Sequence, residues 1–236
     1  MNIVITAIIA GGITALICPF GYSICELALH KFIMHRPLKI FGWEFRYPFE
    51  KHAVVHHGLF KSDKTFHHDP SIPENIKTIP MAWWNGIVLV SLITQPVNLL
   101  AYYFAGHWVT GLAITVVTFV AGMCYYGVYE YIHWCMHLPK PAQRRLLEQS
   151  WVFYRLKGHH LLHHRHMNTN FNVVFPFADW LFGTLTLITV RSYVRELSNT
   201  RFLVQEYTLR TKLNRSIDRY FQRFLRYMYP QTALSH

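Results

Sequence analysis

The sequence predicts an all-α integral membrane protein, in which about three transmembrane helices carry a cytoplasmic helical cap. Two long runs without Asp, Glu, Lys or Arg, residues 1–25 and 78–129, supply the transmembrane helices. All 23 Lys and Arg residues lie outside these runs, in the segments 31–77 and 140–226. Histidines cluster beside the runs and within the basic segments, at spacings that suit helices.

The first uncharged run predicts one transmembrane span and the second predicts two. A bilayer core of roughly 30 Å takes about 20 helical residues to cross. The second run has 52 residues, and its natural break is the glycine-containing turn Phe104–Trp108. The predicted spans are about residues 3–23, 81–103 and 109–131.

A cleaved secretory signal is the competing interpretation of the N-terminus. No basic residue follows Met1 and Asn2, and no small-x-small cleavage site precedes His30. The apolar helix also continues toward this histidine. We therefore expect the first span to be retained, and the 236 residues to form a single membrane domain.

The basic residues predict the orientation in the membrane. The formal net charge is +11, and the turn near His107 contains no Lys or Arg. Because basic loops favour the cytoplasmic side, both basic segments are expected in the cytoplasm and the N-terminus outside. Topology and anionic lipid explain this charge distribution, so we expect no nucleic-acid partner. The expected location is the bacterial inner membrane or the endoplasmic reticulum.

Four histidine clusters predict a metal site. Imidazole is the commonest side-chain ligand of transition metals, and histidines three or four residues apart share a helix face. Two clusters follow the first and third spans, and the other two lie in the cytoplasmic segments, so all four can meet on one side. The expected ligands are His30, His35, His52, His56, His57, His133, His137, His160, His163 and His164.

The spacing within the first two clusters predicts how their histidines are arranged on a helix. His30 and His35 are about 140° apart on an ideal helix, so we expect that helix to fray before Pro37. His52 and His56 are four residues apart and are expected to share one face. The additional candidate ligands are His67, His68 and His159.

Two acidic residues beside the clusters are expected to support the ligands. Glu26 precedes His30 by four residues, and Glu130 precedes His133 by three. A metal-bound imidazole commonly donates its other N–H to a carboxylate. The alternatives are that these glutamates are ligands themselves or lie at the membrane interface.

The histidine clusters and their flanking residues resemble the fatty acid hydroxylase / sterol desaturase superfamily. The resemblance extends over about residues 21–185 and includes the order of all four clusters. The flanking matches are Glu26-Leu-Ala-Leu-His30, Tyr129-Glu130-Tyr-Ile-His133 and Phe177-Ala-Asp179-Trp180-Leu-Phe182-Gly183-Thr184.

The resemblance implies an O2-dependent di-iron oxygenase that hydroxylates a C–H bond of a lipid, with the ten histidines as ligands. It implies two iron ions, with zinc as an alternative in the purified protein. Since the chain has no haem domain of its own, electrons would come from a separate cytochrome b-type protein, or from a ferredoxin with its reductase.

The substrate stays open at this point. Three residues separate His52 from His56, whereas the acyl 2-hydroxylase branch typically has two. A fatty acyl chain, a sterol or a related lipid therefore all fit, and carotenoid hydroxylation or lipid desaturation are alternatives within the superfamily.

Two other classes of function are consistent with a histidine-rich membrane protein. A metal transporter would place polar ligands near the bilayer midplane, where this sequence has mainly Ala, Val, Ile, Leu and Thr. A scaffold with structural zinc would need the same histidines but no redox metal.

The region after Thr184 is expected to lie on the membrane rather than to cross it. A fourth span over residues 171–190 would contain Pro176 and Asp179 and would place the basic tail outside. In the tail, 191–236, the pattern from Leu209 predicts a basic amphipathic helix that lies on a membrane or packs on the cap. The cysteines are expected to be free thiols: Cys18, Cys25, Cys124 and Cys135.

Overall fold

The computed structural model describes residues 2–40, 42–139, 142–187 and 207–208. Within this part the protein is mostly helical, as predicted. The helices in chain order are α1 (Ile3–Leu29), α2 (Tyr47–Phe49), α3 (His57–Leu59), α4 (Trp83–Phe104), α5 (Trp108–Met136), α6 (Arg145–Glu148), α7 (Trp151–Arg165) and α8 (Phe177–Phe182). The amphipathic helix predicted from Leu209 lies outside the described residues.

Short elements of other kinds complete this architecture, and the sequence did not predict them. The π-helical turns are His30–Met34 and Glu50–His56, and the 3-10 turns are Lys64–Phe66 and Asn75–Thr78. The strands are β1 (Leu38–Ile40), β2 (Trp43–Phe45), β3 (Thr186–Leu187) and β4 (Tyr207–Thr208). They form two antiparallel pairs, β1 with β2 and β3 with β4.

Three helices are long and apolar enough to cross a membrane. They are Ile3–Met34, which combines α1 with the first π turn, Trp84–Phe104 and Trp108–Met136. These helices overlap the three predicted spans, although the second begins at Trp84 rather than at residue 81. Their outward surfaces are apolar, and Leu16 on α1 and Leu92 on α4 are 75% and 66% exposed. Such surfaces suit a lipid environment better than water.

Local chemistry fixes where these helices begin. The Asn2 side chain caps α1 by accepting a hydrogen bond from Val4 N at 3.0 Å. Gly106, with a φ of 68°, makes the tight turn between α4 and α5. The His107 side chain then caps α5 by accepting a hydrogen bond from Val109 N at 3.2 Å.

The helix α5 lies between α1 and α4 and contacts both. The Tyr22 hydroxyl of α1 donates a hydrogen bond to the Thr118 carbonyl of α5 at 2.6 Å. At Gly122 the three helices approach closely: a Cβ there would lie 2.6 Å from the Tyr22 oxygen and 2.7 Å from Cγ1 of Val90 on α4. Small residues permit such close packing of membrane helices.

The remaining helices form a cap at the end of the bundle where α1 and α5 finish. Residues of α7 and of the loop before α8 pack against the last turn of α5 in a core that includes Met136, Phe153 and Val173. A second small core joins Leu27 of α1 to Phe171 and Ala178. The cap therefore rests on the C-terminal ends of α1 and α5.

The structure has no fourth candidate span between Phe171 and Leu187, the last described residue before the tail. The helix α8 has only six residues and ends at Gly183, whose φ is 71°. The left-handed conformation of this glycine terminates the helix.

Alanine at Gly122 tests the packing of the three helices. Gly122→Ala should destabilise the protein by about 1–3 kcal/mol, because the new methyl group overlaps Tyr22 and Val90. Gly127→Ala on the same helix is the matched control, since a Cβ there has no neighbour within 4 Å. Thermal unfolding in detergent measures the difference, and equal unfolding midpoints for the two variants would contradict the packing described.

Candidate metal centre

Ten histidines meet in two groups at the junction of the bundle and the cap. Within each group, the five candidate ligand atoms all lie within 4.8 Å of one another. Group one is His30, His35, His52, His57 and His163. Group two is His56, His133, His137, His160 and His164. These are the ten residues that the sequence predicts as ligands, and each group could hold a metal ion.

A π turn, rather than the fraying expected from the sequence, brings His30 and His35 together. The His35 N–H donates to the His30 carbonyl at 3.0 Å, across five residues. A π turn closes hydrogen bonds between residues five apart, so such residues lie above one another, whereas an ideal α-helix separates them. The rings of His30 and His35 consequently lie 5.1 Å apart, measured between centroids.

The second π turn supplies ligands to both groups. His52 and His57 are five residues apart, joined by a hydrogen bond from His57 N to His52 O, and both belong to group one. His56, four residues after His52, belongs to group two. His52 and His56 do lie side by side, with stacked rings whose centroids are 5.1 Å apart, but their ligand atoms belong to different groups.

Helices α5 and α7 supply the remaining ligands. His133 and His137 are four residues apart at the end of α5 and both enter group two, as the α-helical spacing predicts. On α7, His160 and His164 face group two, while His163 faces group one. This helix therefore serves both groups.

Backbone carbonyls orient four of the imidazoles through their Nδ1 atoms. In group one, His30 donates to the Phe171 carbonyl at 2.5 Å and His163 to the Thr169 carbonyl at 2.7 Å. In group two, the corresponding bonds are His137 to the Phe66 carbonyl at 2.7 Å and His164 to the Phe60 carbonyl at 2.5 Å. Since a carbonyl can only accept, each Nδ1 carries the proton, and each Nε2 keeps a free lone pair.

The ring nitrogens of group two converge on a small volume. Nε2 of His160 lies 3.1 Å from Nε2 of His137 and 3.0 Å from Nε2 of His164. Nε2 of His56 lies 3.2 Å from Nε2 of His164 as well. Nε2 of His133 is buried and has no hydrogen-bond partner among the described residues. This converging set of imidazole nitrogens, with the unpartnered Nε2 of His133 among them, fits a metal ion.

Burial keeps the imidazoles in the form that binds metal. His137, His160 and His163 are 0% exposed. Burial lowers the pKa of His163 to about 4, and burial together with the nearby His163 and Arg36 lowers the pKa of His35 to about 3. Burial also holds the pKa of His160 well below its usual value. Neutral imidazole is the metal-binding form, and it predominates here at neutral pH.

The carboxylate of Glu26 does not take the N–H of His30 as expected. It accepts hydrogen bonds from Val173 N and the Tyr125 hydroxyl, both at 2.6 Å, and from Nδ2 of Asn172 at 3.1 Å. It therefore joins α1 and α5 to the loop before α8. The same loop supplies the Phe171 carbonyl to His30.

Glu130 also lies outside both groups. Its Oε2 accepts a hydrogen bond from Met81 N at 3.0 Å, near the start of α4. The carboxylate thereby ties the chain entering α4 to the end of α5, next to His133. A supporting role for Glu130 stays a prediction.

The three additional candidates, His67, His68 and His159, are not in either group. The backbone N–H of His68 donates to the His137 carbonyl at 2.7 Å, and the ring of His67 packs on Phe66. His159 makes a hydrogen bond of 3.1 Å with Asp179. These three histidines lie near the two groups but are not among their candidate ligands.

Sequence reasoning missed the polar residues that hold the cap in place. Asp179, Asn170 and Asn172 are 0% exposed and fully hydrogen-bonded in the loops around α8. Asp179 could have been identified as a candidate, since it lies in the flanking motif at residues 177–184. Asn170 has a φ of 55°, a backbone conformation that the sequence pattern did not predict.

Comparisons of the chain with protein-family models, with curated proteins and with solved structures found no match. A proposal of function consequently rests on the geometry of the two groups and on the residues around them.

Metal content tests whether the two groups act as separate sites. The purified protein loaded with iron(II) or zinc should hold two ions per chain, one for each group. Replacing His35 and His57 by alanine should remove one ion, and so should replacing His133 and His160. His107→Asn, at the other end of α5, preserves the helix cap and should leave both ions. Elemental analysis that finds the same content in all variants would contradict the assignment.

The histidine pKa values predict acid sensitivity of the metal-free protein. With folded pKa values of about 4 for His163 and about 3 for His35, the folded chain binds fewer protons than the unfolded chain, whose histidines titrate near 6.5. The free energy of unfolding should therefore decrease as the pH falls from about 6.5 toward 4. Thermal unfolding across this range measures the effect, and a stability that is constant or rises in acid would refute it.

Proposed function

We propose that this protein is a membrane-bound, O2-dependent di-iron oxygenase that hydroxylates a C–H bond of a lipid. The observation that carries the proposal is the pair of buried five-histidine groups at one end of three apolar helices. The resemblance of the histidine clusters to the fatty acid hydroxylase / sterol desaturase superfamily supports the same assignment.

Each group would hold one iron ion through the imidazole nitrogens. Imidazole suits iron, copper and zinc alike, so the choice of iron follows from the proposed chemistry. Bound iron would supply the redox chemistry that activates O2 and oxidises the C–H bond, which zinc does not provide.

The surrounding aromatic residues would exclude bulk water from this centre. Phe60, Phe66 and Phe171 are almost completely buried. Their rings pack on the ligands, with centroids 4.7 Å from His137 for both Phe60 and Phe66, and 5.6 Å from His163 for Phe171. A dry, rigid pocket strengthens electrostatic interactions and limits side reactions.

The position of the groups supports a lipid substrate. His30 follows the uncharged run 1–25 by five residues, a rise of about 8 Å along a helix. His133 lies in the last turn of α5, four residues after the uncharged run 78–129. A substrate dissolved in the bilayer could thus reach the centre from the helix bundle. Fatty acyl chains, sterols and related lipids fit, with carotenoid hydroxylation or desaturation as the alternatives.

The proposed orientation places the centre on the cytoplasmic side of a bacterial inner membrane or of the endoplasmic reticulum. The support is the distribution of charge, since the turn around His107 lacks Lys and Arg, while the segments 31–77 and 140–226 contain all 23. A cytoplasmic cytochrome b-type protein, or a ferredoxin with its reductase, would deliver electrons to this side.

Metal transport is the main competing function. A transporter places its ion site near the bilayer midplane. In the described residues, the two histidine groups lie instead where α1 and α5 end. The geometry therefore favours catalysis over passage of an ion.

Lipid profiling tests the proposed reaction. Cells that express the protein should accumulate a hydroxylated lipid, and His163→Ala should abolish it because group one loses a ligand. The control His107→Asn should retain the product. Unchanged lipids together with a shift in cellular metal content would favour transport and contradict the oxygenase proposal.

Spectroscopy of the iron-loaded protein separates the oxygenase from a structural zinc scaffold. Mössbauer spectra should show two iron sites per chain that change oxidation state when O2 is added to the reduced protein. A protein that retains only zinc after growth in iron-rich medium, with no hydroxylated lipid, would support the scaffold.

A further inference from the structure

The segment Thr169–Val173 holds two ligands of group one. Its Thr169 carbonyl accepts the Nδ1 proton of His163, and its Phe171 carbonyl accepts that of His30. In group two, the corresponding carbonyls come from Phe60 and Phe66 in a different part of the chain. The carbonyls of Thr169–Val173 that accept from ligand rings therefore serve group one.

Asp179 holds the middle of this segment. Its Oδ1 accepts hydrogen bonds from Phe171 N at 2.9 Å and from the Thr184 hydroxyl at 2.6 Å. Its Oδ2 accepts from Asn172 N at 2.7 Å and pairs with Nε2 of His159 at 3.1 Å. The residue is 0% exposed, and both oxygens are engaged by donors.

The carboxylate of Asp179 is ionised despite its burial. Burial raises its pKa, but the hydrogen bonds from His159, Thr184 and Asn172 outweigh that effect and hold the pKa below its usual value. An ionised carboxylate is an acceptor at both oxygens and has no proton to donate. This property suits a position that faces N–H and O–H donors on each side.

The two ends of the segment are fixed as well. The Asn170 side chain donates to the carbonyls of His159 at 3.1 Å and Thr186 at 2.9 Å. Val173 N donates to Glu26 on α1 at 2.6 Å. Between these ends, Asp179 is the acceptor for the backbone N–H of Phe171, the residue whose carbonyl orients His30.

We propose that Asp179 is a positioning residue of the metal centre. By fixing Thr169–Val173, it holds His30 and His163 in the tautomer and orientation that present Nε2 to the ion of group one. Partners of ligand imidazoles act in this way because they set the tautomer and the ring orientation. The inference rests on the metal centre of the proposed function, and it is independent of the lipid chemistry.

Asp179→Asn is the direct test. The substitution keeps the shape of the side chain but replaces one oxygen by an NH2 group, which then faces hydrogen-bond donors. The affinity of group one for zinc should fall about 10- to 100-fold, while that of group two should be unchanged. Competition of the detergent-purified full chain with a chromophoric chelator measures both affinities.

Background variants assign each affinity to its group. With His133 and His160 replaced by alanine, group one alone remains, and Asp179→Asn should weaken zinc binding. With His35 and His57 replaced, group two alone remains, and the same change should have no effect. Asp69→Asn is the matched control, because Asp69 is an exposed carboxylate that caps a turn by accepting from Ser71 N.

A spectroscopic readout separates positioning from general destabilisation. Cobalt(II) loaded into group one alone should show altered visible absorption bands in Asp179→Asn, whereas cobalt(II) in group two alone should not. Thr184→Val, which removes a single donor from Asp179, should produce a smaller change in the same direction. Thr184→Val therefore tests the positioning role of Asp179 if Asp179→Asn does not fold.

Selective weakening of group one supports the proposal. Equal weakening of both groups, or none in either, overturns it. Zinc binding does not require oxidation of a lipid, so a negative lipid assay beside selective weakening would count against the oxygenase alone. Hydroxylated lipid beside equal affinities would count against the role of Asp179 alone.

Discussion

The candidate centre depends on hydrogen bonds from ligand imidazoles to backbone carbonyls. Because Nδ1 of His137 and of His164 donates to a carbonyl, both rings direct unprotonated Nε2 atoms at His160. At most one of these two Nε2 atoms can accept a proton from His160, and Nε2 of the neighbouring His133 has no partner among the described residues. Burial keeps the rings neutral, which is the form that binds metal. The group could therefore hold a metal ion, and the loops that supply the carbonyls determine the orientation of its rings.

The apolar helices and the polar cap contribute to one architecture. α1 and α5 end beside the histidine groups, so the apolar residues of each helix are followed along the chain by candidate metal ligands. Close contact at Gly122 sets the helices at a fixed separation. The buried carboxylate of Glu26 joins α1 and α5 to the loop before α8, and that of Asp179 joins the same loop to α8. Hydrogen bonds thus connect the helix bundle to the loop that orients ligands of group one.

Much of this could be predicted from the sequence, because it follows from composition and simple periodicity. The uncharged runs predicted the three long helices, and the α-helical spacing of His133 and His137 predicted their common group. The partition of His52 and His56 could not be predicted, since a π turn follows from tertiary contacts rather than from local pattern. The role of the Phe171 carbonyl was equally inaccessible, because a backbone acceptor carries no residue signature.

X-ray absorption at the metal edge tests the central claim most directly. The purified protein, loaded with iron or zinc, should show a coordination shell of imidazole nitrogens for two ions per chain, with no sulfur in it. The free cysteines lie outside both groups. A spectrum with sulfur ligands, or with a shell dominated by carboxylates or water, would contradict the proposal that these ten histidines hold the metal.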